Sequence, residues 1–408
     1  MREVVGLLAG RFAWPVLLCL GLLACAAEPE RPELPAPEAT GRFGLRPIAF
    51  EQLPGWTGDD PRDALRAFER SCQPLAEQDP ATPIGTLPQF GTVGDWRQIC
   101  ADVAGGAAAS AERARAFVED RFLAHLVVDG DDPEGLFTGY FEPLLNGSRR
   151  FGAPYTVPLH HPPDDLLRID LGRFNPELAG YAIFGRISGR EFVPYHSRRD
   201  IEAGALDERN LELLWVDDPI DKFFLQIQGS GQVRLEDGSL IRIGYAGQNG
   251  HPYRAIGRDL IEIGALAREE VSLPAIRAWL EAHPEEAVQV MARNRSYIFF
   301  EKHPELAPAD GPLGAQGVSL TPGRSLAVDP RYIPFGVPVW LDTTAPWPEG
   351  AGPLRRLMVA QDAGSAIKGA VRGDVFWGAG TRAEAIAGHM KSRGRYAVLL
   401  PKAAIPVS

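Results

Sequence analysis

The stretch Val359–Gly378, VAQDAGSAIKGAVRGDVFWG, sets two aspartates, Asp362 and Asp374, among glycines, alanines and aromatic residues. Its only other charges are Lys368 and Arg372. Strand interiors disfavour Asp and Gly, and helix interiors disfavour Gly. The stretch reads as a β segment, Leu357 to Gln361, then a loop that Asp362 begins, then an apolar run, Val375 to Trp377. An ordinary role for Asp362 is an Asx-turn that bonds backbone N–H groups. Asp374 fits that role less well. An acid flanked by large apolar groups is desolvated, which raises its pKa, and a raised pKa is what a general acid at neutral pH needs. A third aspartate, Asp329 in SLAVDPRYIPFG, reads as a turn starter before proline.

Around this stretch the texture is β-rich. Ser325–Val328, Gly336–Asp342, Arg295–Glu301 and Arg395–Leu400 read as strands, with a helix over Arg382–Ser392 that Gly394 stops. Upstream, Gly135 to Gly247 runs in short apolar segments broken by turn residues. Within it VRLEDGSLIRI places Asp-Gly between two alternating runs, a hairpin signal. Helical spacing marks Ala64–Cys72, Trp96–Ala104, Ala109–Leu126 and Arg254–Ala267. Ser272 is placed to cap a further helix with Pro274 in its first turn, and another follows Pro284. Strands with scattered helices and no βαβ rhythm predict an α+β fold, mainly β, built around a barrel.

The whole chain of 408 residues carries 44 Gly and 36 Pro and a net charge of -11, with no Lys/Arg cluster large enough for a nucleic-acid face. The first residues, with Arg2 and Arg11, precede an apolar run from Phe12 to Ala24. That run is too short to span a bilayer but fits a signal-peptide core over residues 1–24. Leu22-Leu23-Ala24-Cys25 resembles a bacterial lipobox, which would lipidate Cys25; an ordinary signal peptide cut after an Ala-x-Ala-like site is the other reading. Glu28–Thr40 is rich in Pro and Glu and reads as a solvated tether, so residues 25–45 are taken as lipidated cysteine and tether. Two cysteines then remain for an oxidising compartment, Cys72 and Cys100. A disulfide between them is expected, the alternative being two buried thiols.

Metal, serine and nucleotide chemistry find no motif. The eight histidines are scattered, with no HExxH or clustered Cys/His, and no P-loop or dinucleotide fingerprint is present. Gln228 and Gln232 stand where G-x-S-x-G around Ser230 needs glycines. Neither a metal nor a cofactor is expected.

Several long motifs occur together in order. AQGVSLTPGRSLAVDPRYIPFGVPVWLD and MVAQDAGSAIKGAVRGDVFWGAG follow LFTGYFEPLL and LLWVDDPIDKFFLQIQGSGQVRLEDGSLIRIGYAGQNGHPYRAIGR. From about Gly135 onward the chain resembles the membrane-bound lytic murein transglycosylase A family, with its C-terminal three-aspartate domain. The resemblance implies a double-psi β-barrel domain, residues 46–145 plus 245–408, with a smaller β-barrel domain, 146–244, inserted into it and a groove between the two. It implies a peptidoglycan glycan strand as the partner in that groove. It also implies cleavage of the β-1,4 bond from N-acetylmuramic acid to N-acetylglucosamine with formation of a 1,6-anhydromuramyl end. Asp374 takes the role of single acid/base, and Asp362 tunes and orients it. Gly364, Ala366 and their loop would approach the sugar closely.

A sugar offers hydroxyl edges and apolar faces, which planar amides, hydroxyls and aromatic rings recognise. Tyr140, Gln226, Gln228, Ser230, Tyr245, Asn249 and Tyr253 supply these and are the expected glycan contacts, with Tyr140 and Gln228 foremost. Taken singly, each tyrosine fits a half-buried core role better, and it is the set with its interleaved glycines that favours a groove; Trp377 fits a core role and a sugar-stacking role alike. A plain peptidoglycan glycosidase and a non-catalytic peptidoglycan-binding lipoprotein are the alternatives. Ala26 after Cys25 lacks the aspartate that retains lipoproteins in the inner membrane, so the expected location is the periplasmic face of the outer membrane, held by the lipid anchor.

Overall fold

The computed structural model describes residues 43–405 except 176–177, 179–180 and 308–309. The expected signal peptide, Cys25 and almost all of the tether lie outside the described residues. No helix among the described residues is long and apolar enough to cross a membrane.

Six strands close into a barrel. Lys391–Pro401 pairs with Pro338–Trp347, followed in order by Gly350–Asp362, Ser325–Ala327, Arg372–Ala379 and Gly135–Glu142, which returns to pair with Lys391–Pro401. Two of the pairings are parallel, Ser325–Ala327 with Gly350–Asp362 and Arg372–Ala379 with Gly135–Glu142. Phe122–Asp129 and Phe43–Ile48 extend the sheet from the far half of Lys391–Pro401. The barrel is filled by Phe137, Leu326, Val339, Leu341, Met358, Val375 and Val398, all fully buried. Closure removes every free edge from the strands that carry the site.

A second sheet of six strands runs in the order Ile298–Lys302, Leu240–Gln248, Gly231–Leu235, Leu144–Ser148, Glu212–Val216, Val157–His160, and is nearly closed. It has its own core of Leu145, Leu159, Leu214, Val233, Ile243 and Phe300. The Asp-Gly hairpin forms as the alternation requires, with Arg234 opposite Leu240. Ile298–Lys302 joins this second sheet by pairing with Leu240–Gln248. A three-stranded arm, Leu167–Asp170, Ala182–Ser188 and Glu191–Val193, stands beside it.

Three expectations change. The helix expected over Ala109–Leu126 is Ala111–Arg121, capped by Ser110, and Phe122–Asp129 is a strand. Pairing with Phe43–Ile48 and Lys391–Pro401 outweighs the helical spacing there. KFFLQIQ, one of the apolar segments of the Gly135–Gly247 region expected to be β-rich, belongs to a helix, Pro219–Gln228. Asp218 accepts from the Ile220 N–H, Pro219 opens the first turn, and Gly229 at φ +83° ends it. The last helix is Thr381–His389, and Gly394 lies inside the following strand. Gly394 is there for close approach, since a Cβ on it would meet Thr343 Cβ at 2.5 Å.

The helices Arg62–Ala76 and Val93–Ala104 cover the barrel. Arg62–Ala76 buries Ala64, Leu65, Phe68, Ser71 and Leu75 along one stripe. Cys72 and Cys100 join the two helices in the expected disulfide, across 28 residues. Replacing both by serine should lower the unfolding free energy by about 3 kcal/mol, because the bond restricts the unfolded chain most. Urea unfolding of the double variant checks this, and an unchanged midpoint would contradict it.

Candidate functional site

The site is assembled on the three-residue strand Ser325–Ala327. Its last residue, Ala327, is opposite Asp362 on one side and opposite Asp374 on the other. Two strand spacings put the two aspartate Cα atoms about 10 Å apart, with only the small Ala327 side chain between them. Gly135–Glu142 then sets Thr138 opposite Asp374 and Tyr140 opposite Phe376. Tyr140, Leu320, Ala327, Ile367 and Phe376 pack into one buried floor.

The two carboxylates have different partners. Asp362 is engaged at both oxygens: Oδ2 accepts from the Tyr140 hydroxyl at 2.6 Å, and Oδ1 accepts from the N–H groups of Ala315 at 2.8 Å and Ala363 at 2.9 Å. Burial pushes its pKa up, and these three donors pull it back. Among the described residues Asp374 has one donor, the Thr138 hydroxyl at 2.6 Å from Oδ1. Burial pushes its carboxyl up to about 6, reinforced by Asp362 and opposed by Arg372 and Thr138. Burial and the neighbouring Asp362 hold the Tyr140 hydroxyl well above its usual range, so it stays a donor.

Asp329 is more than a turn starter. Its carbonyl does accept from Tyr332 and Ile333 N–H groups. Its buried carboxylate also accepts from the Gly369 N–H at 2.9 Å and from Arg331 Nε at 2.9 Å. Burial raises its pKa, but these partners hold it below the usual value. Gly369 sits at φ +110°, a backbone that only glycine adopts without strain. Asp329 and buried Ile367 thus pin the loop that carries Gly364 and Ala366, which stand half-buried and exposed.

Of the expected glycan contacts, Tyr140 bonds Asp362, and Tyr253 is near enough to Asp374 to be raised by its charge as well as by burial. Gln228 borders them, accepting from the Phe141 N–H at 3.1 Å. Tyr245 is exposed on the second sheet, and Ser230 is buried next to its hairpin. Gln226 and Asn249 are placed as structural residues instead. Gln226 is buried between Arg198 and the Ile298 carbonyl. Asn249 is wholly buried and bonds the backbone of His196, Arg295 and Tyr297. Both amides satisfy interior polar groups. Trp377 packs edge-on against Trp347, with ring centroids 5.3 Å apart, on the barrel core. Thr138 and Arg372 carry the site yet had no signal of their own. Their one trace was the period-2 alternation Thr138/Tyr140 and Arg372/Asp374. Among the described residues no cluster of His, Cys, Asp or Glu is placed to hold a metal ion.

Residues 136–301 match the model of the MltA specific insert domain, and residues 324–400 match that of the 3D domain. The fold is similar to the crystal structure of a membrane-bound lytic murein transglycosylase from Agrobacterium tumefaciens: 34% identity, TM-score 0.77, 88% of this chain and 98% of that one. The chain belongs to the membrane-bound lytic murein transglycosylase A family. MltA from Neisseria gonorrhoeae is also similar, at 34% identity and TM-score 0.72, over 88% and 93% of the two chains. So is Escherichia coli MltA with bound chitohexaose, at 26% identity and TM-score 0.63, over 89% and 95%. The curated Vibrio cholerae membrane-bound lytic murein transglycosylase A is 35% identical over 65% of this chain, and the chain spans 66% of that relative's length.

The raised carboxyl predicts a pH-dependent stability. Asp374 binds its proton more tightly in the folded chain than at its ordinary value of 3.8. That contribution is full below about pH 4 and is lost as pH rises through about 6. Asp374→Asn cannot ionise and escapes the loss. Its unfolding free energy should therefore gain on wild type across that window and run parallel above it. Urea unfolding at a series of pH values measures the difference; parallel curves throughout would mean that Asp374 is not raised.

Proposed function

We propose that this chain is a peptidoglycan lytic transglycosylase that uses Asp374 as its single acid/base. The observation that carries the reading is the contrast between the two carboxylates. Asp374 is raised to about 6 and has one hydrogen-bond donor, while both oxygens of Asp362 are already engaged. An ordinary glycosidase needs a second free carboxylate as nucleophile or base. Asp362, tied to three donors, is a poor one. A reaction with an internal nucleophile has no such need.

The protonated Asp374 gives its proton to the glycosidic oxygen as the bond from C1 of N-acetylmuramic acid breaks. N-acetylglucosamine then leaves with a free 4-hydroxyl. The muramyl C6 hydroxyl attacks C1, and its proton returns to the Asp374 carboxylate. The product is a 1,6-anhydromuramyl end; no water is consumed and the acid is regenerated. Holding the hydroxyl beside C1 replaces an external nucleophile. Asp362 orients and tunes Asp374 and helps keep it protonated. The glycan in the Escherichia coli MltA structure supports a glycan strand as the ligand.

The same reading carries the wider architecture. The expected division is a barrel domain, residues 46–145 with 245–408, and an insert, 146–244; Leu240–Gln248 crosses that boundary and Ile298–Lys302 pairs into the second sheet, which favours an insert that extends past 244. The ligand lies between them. The chain is exported through residues 1–24 and held by a lipid on Cys25 at the periplasmic face of the outer membrane, and the relatives' name, membrane-bound, supports an anchor.

Asp374→Asn keeps the shape and cannot transfer a proton. Release of anhydro-muropeptides from sacculi should fall by more than the ~10²–10⁴ typical of one acid or base, since both proton transfers use one group. Asp362→Asn should cost less. Sedimentation with sacculi should show that folded Asp374→Asn still binds. More than about a tenth of wild-type activity in that variant would remove Asp374 from the reaction.

A further inference from the structure

Arg372 stands two residues before Asp374, on the same face of its strand. Its guanidinium is half-buried and anchored at Nη1 by the carbonyls of Leu136, at 3.1 Å, and Gly373. Nη2 donates to Thr138 Oγ1 at 2.8 Å, and Thr138 is 2.6 Å from Asp374 Oδ1. A guanidinium has donors only, whereas a hydroxyl has one proton and two lone pairs. Thr138 must therefore accept from Arg372. Its single proton is left for the acceptor on its other side, which is Asp374 Oδ1. An oxygen that receives this proton is the poorer seat for the acid's own proton, which goes to Oδ2.

We infer that Arg372 is a positioning residue for the acid: it fixes Thr138 as a donor to Asp374 Oδ1 and so holds the transferable proton on Oδ2. The inference rests on Asp374 being the acid/base. The groups that face Asp374 are Arg372 on its own strand, Thr138 and Tyr140 on Gly135–Glu142, Asp362 at the end of Gly350–Asp362, and Tyr253. Tyr140 and Tyr253 remain neutral, because burial raises both. Among these groups Arg372 is the cation, and it opposes the upward push of burial and of Asp362. Because Arg372 offers no acceptor, a Thr138 that accepted from the acid as well would leave its own proton unpaired; a side chain there with an acceptor oxygen would take that proton, free Thr138 to accept from the acid and place the acid's proton on Oδ1.

The test is the pH dependence of anhydro-muropeptide release by the full chain. Wild type, Arg372→Gln, Arg372→Lys, Thr138→Val, the double variant Arg372→Gln/Thr138→Val, and Asp374→Asn are compared. Activity needs the protonated acid, so the wild-type rate should fall as pH rises through its alkaline limb. Arg372→Gln should move that limb upward by about one pH unit and lower the plateau rate about tenfold. Arg372→Lys keeps the charge and should return the limb toward wild type while the plateau stays low. Thr138→Val should lower the plateau by a similar factor, and the double variant should cost little more than Thr138→Val alone, since both act through one hydroxyl. An unmoved limb in Arg372→Gln, or two losses that multiply in the double variant, overturns the inference. If Asp374→Asn itself stays active, the acid assignment fails and this inference with it. An inactive Asp374→Asn beside a wild-type profile for Arg372→Gln removes the inference alone.

Discussion

Everything in the site depends on Ala327 being paired on both sides. Ser325–Ala327 runs parallel to Gly350–Asp362 and antiparallel to Arg372–Ala379, so one residue registers Asp362 and Asp374 at the same level. A side chain much larger than alanine there would enter the floor formed with Tyr140, Ile367 and Phe376. The register is itself held by closure of the barrel, because Gly135–Glu142 pairs both with Arg372–Ala379 and with Lys391–Pro401. A one-residue slip would turn both aspartates to the opposite face. The arrangement of the two aspartates is therefore a property of the closed sheet and is not confined to the loop between them.

That closed sheet also explains how similar groups acquire different chemistry. Both aspartates are desolvated, and desolvation is the first cause of both shifts. What separates them is the supply of donors. Asp362 ends its strand, where the backbone turns and Ala315 and Ala363 N–H groups are free to bond it. Asp374 lies within a strand whose N–H groups are used by neighbouring strands, so among the described residues its donor is a side chain, Thr138. Position in the ladder thus sets the number of hydrogen bonds to each carboxylate, and hydrogen bonds to the charged form set how far burial is offset.

Features that are local in sequence were legible there. The Asp-Gly hairpin, the Ser272 cap accepting from the Ala275 N–H, the Pro284 helix start and the Cys72–Cys100 pair all appear where residue chemistry places them. The aspartate-bearing stretch was legible as a strand, a loop and a further apolar segment. The helix Pro219–Gln228 was local too, and its Asp218, Pro219 and Gly229 signals were outweighed by an apolar run that fits strand and helix alike. The rest needed tertiary information. Thr138 meets both Arg372 and Asp374 through a parallel pairing across more than 230 residues. Gln226 and Asn249 have the chemistry of a glycan contact, and only burial shows that the protein interior uses it.

The central claim is that bond cleavage uses an internal hydroxyl and one carboxyl group, with no water consumed. Digestion of purified sacculi in water enriched in oxygen-18, followed by mass analysis of the released muropeptides, tests it most directly. The account predicts muramyl ends that are one water lighter than reducing ends and carry no heavy oxygen. Reducing ends that carry the heavy oxygen from the moment of release would contradict it, since they require water as the nucleophile.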